Sequence, residues 1–564
     1  MSDHAQSGTL RRLASLVCCA GLAACGTTGN VPATDVDASL AVAESTFQDV
    51  RAMRDAMDVA DARGTDLVED GQSVAVVASR YAPTVRALQQ QLADVDGTRL
   101  DSIDRRALRT MRLVTTTELT PRPIASTPLQ PARPDCAYDA ATIASSADGF
   151  RALSARIIAC YGDAAERVAH GNEVLDRLTV LGRLAGTANA VERERLFRAL
   201  EPMFRTIDGD GGPSSPYRHL VRLSAARWRA EGSPVADEAR LAGVEPARME
   251  QWLVAILARW RDVTPDSLIE PWDYDYLAGT AERALDPLIA ARGLTRLNAE
   301  YYRSLGVDLD ALGVHLELEP RTGKTPVAFT TFGRRSRLVD GRWRGGSEWV
   351  FATYRSAGLG LLNELLHETG HAVHIAAIRT RPAFFSWPDN GAFTEGLADI
   401  AALEIYEPAW QQRWLGGSVP FADGLRSRYA AIIMDICWAL FEIRMHEKPT
   451  ADPNAVWAAL TSEYLHIRPH PEMAWWARRG QLVDSPGYMA NYAIGAIIIA
   501  DIRAHVKAVH GEYARGDATW YPWVSSRLYR FGLERSSRQV IEDFLRRPLS
   551  PAALLADLAR MSPG

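Results

Sequence analysis

The chain reads as a mainly α-helical protein with one small β-sheet. Three observations predict this: long stretches where apolar residues recur every three or four positions, one region of clustered β-formers at 313–355, and a return to helical spacing from Leu361 onward. With 564 residues and 47% hydrophobic content, the chain can bury a large core in one big or two fused domains. Its net charge of −6, with both signs interspersed and no basic block interleaved with aromatics, gives no sign of nucleic-acid binding.

At the N-terminus, Arg11 and Arg12 precede an apolar run over 13–24, too short for a permanent membrane span. The run closes with Leu22-Ala-Ala-Cys25-Gly26, which looks like a bacterial lipobox. That likeness implies cleavage before Cys25, lipidation of its thiol and a membrane tether outside the cytoplasm. Gly26 is compatible with outer-membrane sorting. An ordinary cleaved leader with an incidental cysteine is the alternative. The small polar residues of 26–35 suit a flexible tether.

Helical spacing fills 36–113, with breaks near Gly64 and Gly97. Pro121, Pro123, Pro128, Pro131 and Pro134 then exclude a regular helix or central strand, leaving a linker or an extended strap. Helical patterning resumes over 141–205. The turn-rich 208–216 is a plain loop, because position 219, where a calcium loop needs Glu, is His219. Further helices are expected over 217–229, 245–262 and 281–305. Cys18 and Cys19 leave with the leader, and in an oxidising compartment Cys136 and Cys160 are the predicted disulfide, closing a loop of about 25 residues. Cys437, in an apolar run, is expected to be a buried thiol.

Strands are expected over 314–318, 326–332 and 348–354, with a turn between Gly341 and Gly346. The last strand is read as an exposed edge that an extended peptide could join; a strand covered on both sides is the alternative. Next comes LLNELLHETGHAVHIAAIRT over 361–380, where Leu361, Leu362, Leu365, Leu366, Ala372 and Ile375 mark an apolar helix. Inside it lies His367-Glu368-Thr369-Gly370-His371, the H-E-x-x-H pattern. Residues four apart stack on one helix face, so both imidazoles can bind one metal ion, and Glu368 can take a proton from a metal-activated water. A catalytic zinc needs a third protein ligand, and Glu395, at the start of a second apolar-periodic run, is the best candidate. Asp399, four residues on, can orient a ligand histidine. His374 shares the face of His367 and His371 and suits a wall or packing role.

The run at 493–500 is strongly apolar but stops at Asp501 and Arg503, so it reads as a buried core helix. Just before it, Tyr488 and Tyr492 share a helix face. Either hydroxyl could donate to the oxyanion formed when water attacks a peptide carbonyl, although tyrosines at this spacing are more often packing residues.

His367-Glu-Thr-Gly-His-Ala-Val-His374, with Glu395 following His371 by 24 residues, resembles the gluzincin oligopeptidases, in particular the thimet-oligopeptidase and oligoendopeptidase F family. The angiotensin-converting-enzyme family is similar in the same region. Those enzymes carry a G-Y-x-x-x-Y helix lining the site, matched by Gly487-Tyr488-Met-Ala-Asn-Tyr492. Tyr301-Tyr-Arg-Ser-Leu-Gly306 and the stretch 546–555 also look like segments of these families. The resemblance spans roughly 295–560. It implies a large helical metallopeptidase fold with a deep substrate channel, one zinc ion, and endo- or dipeptidyl cleavage of short peptides. Position 369 is Thr where the family usually has Phe, and the histidine expected shortly before the tyrosine pair is absent, His470 and His466 being nearest upstream. For the oxyanion, Tyr492 ranks first, then Tyr488, then His470.

The expectation is therefore a lipid-anchored zinc metallopeptidase of the bacterial cell envelope, cleaving short unstructured peptides. Zinc is held by His367, His371 and Glu395, with Glu368 as general base and Asp399 behind His367. Rival readings are an exopeptidase with the same site and a binding lipoprotein with a structural zinc site; the intact Glu368 argues against the latter. The expected organisation is a leader at 1–25, a tether at 26–35, a helical region at 36–310 and a catalytic region at 311–564.

Overall fold

The computed structural model describes residues 35–120, 133–321, 324 and 327–561. The leader with Cys25, the tether as far as residue 34, and Pro121, Pro123, Pro128 and Pro131 lie outside the described residues. The chain divides into two compact units, each made of three stretches: 1–125, 289–402 and 510–546 in the first, and 126–288, 403–509 and 547–564 in the second. Periodicity identifies helices but carries no information on which distant helices share a core.

In the first unit, α1 (Asp35–Arg63) and the helices Val74–Asp94 and Ser102–Thr117 break near Gly64 and Gly97, as their spacing predicts. Ser73 and Asp101 cap the second and third by accepting from the backbone N–H groups of Val76 and Asp104. Their apolar faces bury Phe47, Val50, Tyr81, Leu88 and Met111 together with Ala383 and Phe384, from far along the chain. Two ion pairs fasten the same junction. Arg335 grips both oxygens of Asp55, and Arg381 both oxygens of Glu44.

After α2 (Leu294–Ser304) come the strands β1 (Val314–Glu317), β2 (Phe329–Phe332), β3 (Arg337–Val339), β4 (Arg342–Arg344) and β5 (Glu348–Phe351). β3 and β4 form a separate hairpin. The main sheet has the order β1-β5-β2, with β1 parallel and β2 antiparallel to β5. This corrects the expectation of an exposed last strand: β5 is central, paired along both edges. Glu348, Val350 and Phe351 are all buried, the near-continuous burial of an interior strand. The helices α3 (Leu359–Ala377) and α4 (Gly391–Ala402) follow directly and carry the metal-ligand candidates.

The second unit is built around α5 (Phe421–Glu447) and α6 (Met489–Val509). Its core is aromatic: Trp438 stacks on Trp457 with ring centres 5.0 Å apart, and Tyr217 lies 4.5 Å from Trp476. As expected, 493–500 is buried within α6. Cys136 and Cys160 form a disulfide with Cα atoms 5.8 Å apart, and Cys437 is a buried free thiol. The helical run expected over 141–205 is interrupted by a hairpin of Val168–His170 and Glu173–Leu175. Gly171, at φ +60°, supplies the tight turn that no helix could hold. Among the described residues, no helix is long and apolar enough to cross a membrane.

Candidate metal centre

α3 is buried almost all round from Glu368 to its end. A helix so enclosed must satisfy its polar groups within the protein. Its neighbours do part of this: Tyr302 donates from its hydroxyl to the Leu366 carbonyl at 2.6 Å. Thr330 on β2 donates from Oγ1, which lies 2.8 Å from both the Glu368 carbonyl and Glu368 Oε2.

α4 lies unusually close to α3, and one glycine permits it. A Cβ at Gly370 would stand 2.3 Å from the Ala398 carbonyl oxygen, an impossible contact. Asn390 caps α4, its side-chain oxygen accepting from the Phe393 N–H at 2.7 Å. At the other end the helix leaves carbonyls without intrahelical partners. The hydroxyls of Tyr513 and Tyr301 donate to the Ile400 and Ala401 carbonyls at 2.8 and 3.1 Å. Glu395 is thereby held in register with the α3 histidines.

The result is one converging set of acceptors. His367 Nε2 lies 3.1 Å from His371 Nε2 and 3.2 Å from Glu395 Oε2, and His371 Nε2 lies 3.6 Å from the same oxygen. Among the described residues this is the only group of three or more His, Cys, Asp or Glu side chains arranged to share an ion. Donors at roughly 2.0–2.1 Å on a tetrahedral zinc stand about 3.3 Å from each other, so the spacing fits. Chemistry agrees with geometry. Asp399 Oδ1 sits 2.7 Å from His367 Nδ1, which favours the proton on Nδ1 and leaves the Nε2 lone pair facing the cluster. Two imidazole nitrogens and a carboxylate are a donor set suited to zinc.

The electrostatics follow the same logic. Burial opposes a charge on His367, but Asp399 and Glu395 outweigh it and lift its pKa well above the imidazole range. Burial likewise raises the Glu395 carboxyl, yet His371 and His367 hold it well below the usual value. The acids and bases of the cluster stabilise one another's charged forms. Glu368 is 1% exposed; Thr330 holds its Oε2, and its Oε1 has no hydrogen-bond partner among the described residues.

His374 is different. It is buried between Trp387 and Tyr529, with ring centres 5.8 and 5.2 Å away, and burial first, then His371, lowers its pKa to about 3. It is a neutral packing residue. His470 lies in the second unit and has both ring nitrogens committed, to Glu472 at 2.6 Å and Glu270 at 2.8 Å. Tyr488 and Tyr492 are also in the second unit, at the start of α6, half-buried, with ring centres 5.5 Å apart and planes perpendicular. Arg479 lies 5.8 Å over the Tyr492 ring. Two contributors escaped the sequence reading. Thr330 gives no local signal, since its partner is 38 residues away. Gly370 does give one: a glycine inside a helix has to be explained by close packing.

No protein-family model matches the chain, and no curated protein is similar to it in sequence. Solved structures are similar in fold. An M32 carboxypeptidase from Deinococcus radiodurans R1 superposes with a TM-score of 0.54 at 12% identity, covering 93% of this chain and 99% of that one. An oligoendopeptidase F superposes at 0.50 with 14% identity, covering 93% and 96%. The chain therefore shares the large, mainly helical fold of these two structures.

Proposed function

We propose that the protein is a zinc-dependent peptidase that hydrolyses short, unstructured peptides, in the manner of an oligopeptidase or peptidyl-dipeptidase. One observation carries the reading: a buried carboxylate, Glu368, stands on the helix that supplies two of three converging metal donors, with one oxygen anchored and the other without a hydrogen-bond partner among the described residues. A purely structural metal site has no need of such a group.

His367, His371 and Glu395 would hold the metal, which when bound acts as a Lewis acid and brings the pKa of water towards 7. Glu368 accepts the proton of the attacking water at its Oε1 and returns it to the departing amine. Thr330 fixes the carboxylate plane through Oε2, so that the proton travels to one defined atom. Asp399 holds the proton on His367 Nδ1. We assign oxyanion stabilisation to Tyr492, and next to Tyr488; a tyrosine hydroxyl aimed at that oxygen contributes about 3 kcal/mol at the transition state. We place the protein in the bacterial cell envelope, anchored through Cys25.

A second reading keeps the site but restricts cleavage to a chain end, and the likeness in fold to a carboxypeptidase favours it. One experiment addresses both. Purified protein is analysed for metal and incubated with mixed peptides of about 5–15 residues, beside Glu368→Gln; the expected fall in turnover is on the order of 10³-fold or more, with one zinc per chain retained. Internal fragment masses identify an endopeptidase and single-residue ladders an exopeptidase. Bound zinc with no cleavage would make this a binding protein, and no zinc at all would refute the metal site.

A further inference from the structure

The first unit contains a second polar cluster of opposite character. A cavity of about 270 Å³ is lined by five arginines, Arg51, Arg335, Arg337, Arg379 and Arg381, and by no acidic residue. Two of the five are spoken for. Arg335 spends its three nitrogens on Asp55 and the Phe385 carbonyl, and Arg381 spends its own on Glu44 and Asp104. The remaining three keep nitrogens to spare among the described residues. Arg379 uses only Nη1, on the Ala376 and Ile378 carbonyls, and Arg337 makes no ion pair among the described residues. Arg51 is 5% exposed and reaches Ser386 and Glu118 through Nη2, at 3.3 and 3.8 Å, while its Nη1 has no hydrogen-bond partner among the described residues. The Thr380 hydroxyl, also buried and on the same wall, has none among the described residues either.

Buried donors without acceptors cost on the order of 1–3 kcal/mol each, and more when charged. Here two such donors line one cavity, with two guanidiniums that make no ion pair among the described residues. The acid that Arg379 senses, Glu348, is fully buried, and burial lifts its carboxyl well above the usual range, so it is a weak counter-charge. Burial, and then the neighbouring Arg335, lowers the Arg51 pKa to about 10, which leaves it charged at neutral pH. An anion with two charges and several acceptor oxygens matches this deficit, because guanidinium forks pair with phosphate oxygens in charge-assisted bonds. The cavity rim carries Leu338, 59% exposed, and Trp343, 37% exposed, apolar surface suited to an organic substituent on the anion.

We infer that this cavity binds a phosphomonoester group, with Arg51, Arg337, Arg379 and Thr380 as its donors. The ligand is either a free phosphate ester or the headgroup of a phosphatidate-type lipid. The site uses none of the metal-ligand residues, so it stands or falls apart from the peptidase reading.

The test is calorimetric titration and thermal melting of the purified full-length protein with inorganic phosphate, phenyl phosphate and soluble dihexanoylphosphatidic acid, against chloride at matched ionic strength. Phenyl phosphate is expected to bind more tightly than inorganic phosphate and to raise Tm by several degrees. Arg337→Gln, at an exposed position that leaves packing untouched, and Arg379→Gln are expected to weaken binding tenfold or more, with zinc content and ligand-free Tm unchanged in Arg337→Gln. Binding of the lipid alone, lost in Arg337→Gln, assigns the headgroup. No binding beyond the chloride control, or unaltered binding in Arg337→Gln, overturns the proposal.

Discussion

The metal centre and the arginine cavity belong to the same unit and to neighbouring stretches of chain, since α3 ends at Ala377 and Arg379 follows two residues later. Their chemistry is opposite. The first gathers acceptors, two imidazole nitrogens and a carboxylate, and the second gathers donors, three guanidiniums and a hydroxyl. Carboxylates back the imidazoles in one, while guanidiniums outnumber their counter-ions in the other. The contrast shows how a ligand's sign can be read from protein atoms alone: polar groups of one kind gathered at one place identify the charge that would satisfy them.

If the two sites are independent, each can be broken without disturbing the other. The largest effect is expected from His371→Ala, which removes a metal donor: zinc is lost on dialysis and hydrolysis falls on the order of 10³-fold or more, while the phosphate-dependent rise in Tm persists. Loss of both responses would mean that the clusters are coupled. Asp399→Asn is milder, because it spares the donors and disturbs only the His367 tautomer; metal affinity measured by competition with a chelator should fall about 10–100-fold. Gly370→Ala is a packing change. Overpacking against the Ala398 carbonyl costs about 1–3 kcal/mol, seen as a lower Tm, and by displacing α4 it should weaken zinc binding but not phosphate binding.

The two sites also differ in how far they could be read in advance. His367, Glu368 and His371 are visible because a helix converts a four-residue spacing into adjacency, and Glu395 with Asp399 repeats that spacing on the next helix. The helices themselves were legible from apolar periodicity, and the breaks near Gly64 and Gly97 from turn chemistry. Strand order was not. Whether β5 is an edge or a centre depends on β1 and β2, whose pairing is a tertiary event that no local pattern encodes. Thr330 was hidden for the same reason. The arginine cavity was out of reach altogether, since Arg51 and Arg379 meet only once α1 has docked on the segment after α3.

That docking has a consequence for how the protein is made. The three N-terminal helices complete their core with Ala383 and Phe384 and find Arg335 and Arg381 as the partners of Asp55 and Glu44. Roughly 270 residues separate the end of the third helix from Phe384, so at about 5–20 residues per second synthesis runs for roughly 15–50 s before the covering segment exists. Throughout that interval the earliest part of the chain carries an open apolar face and two uncompensated acids. The first helices to be made are thus among the last to be finished, and a chaperone's attention would be needed at the start of the chain rather than at its end.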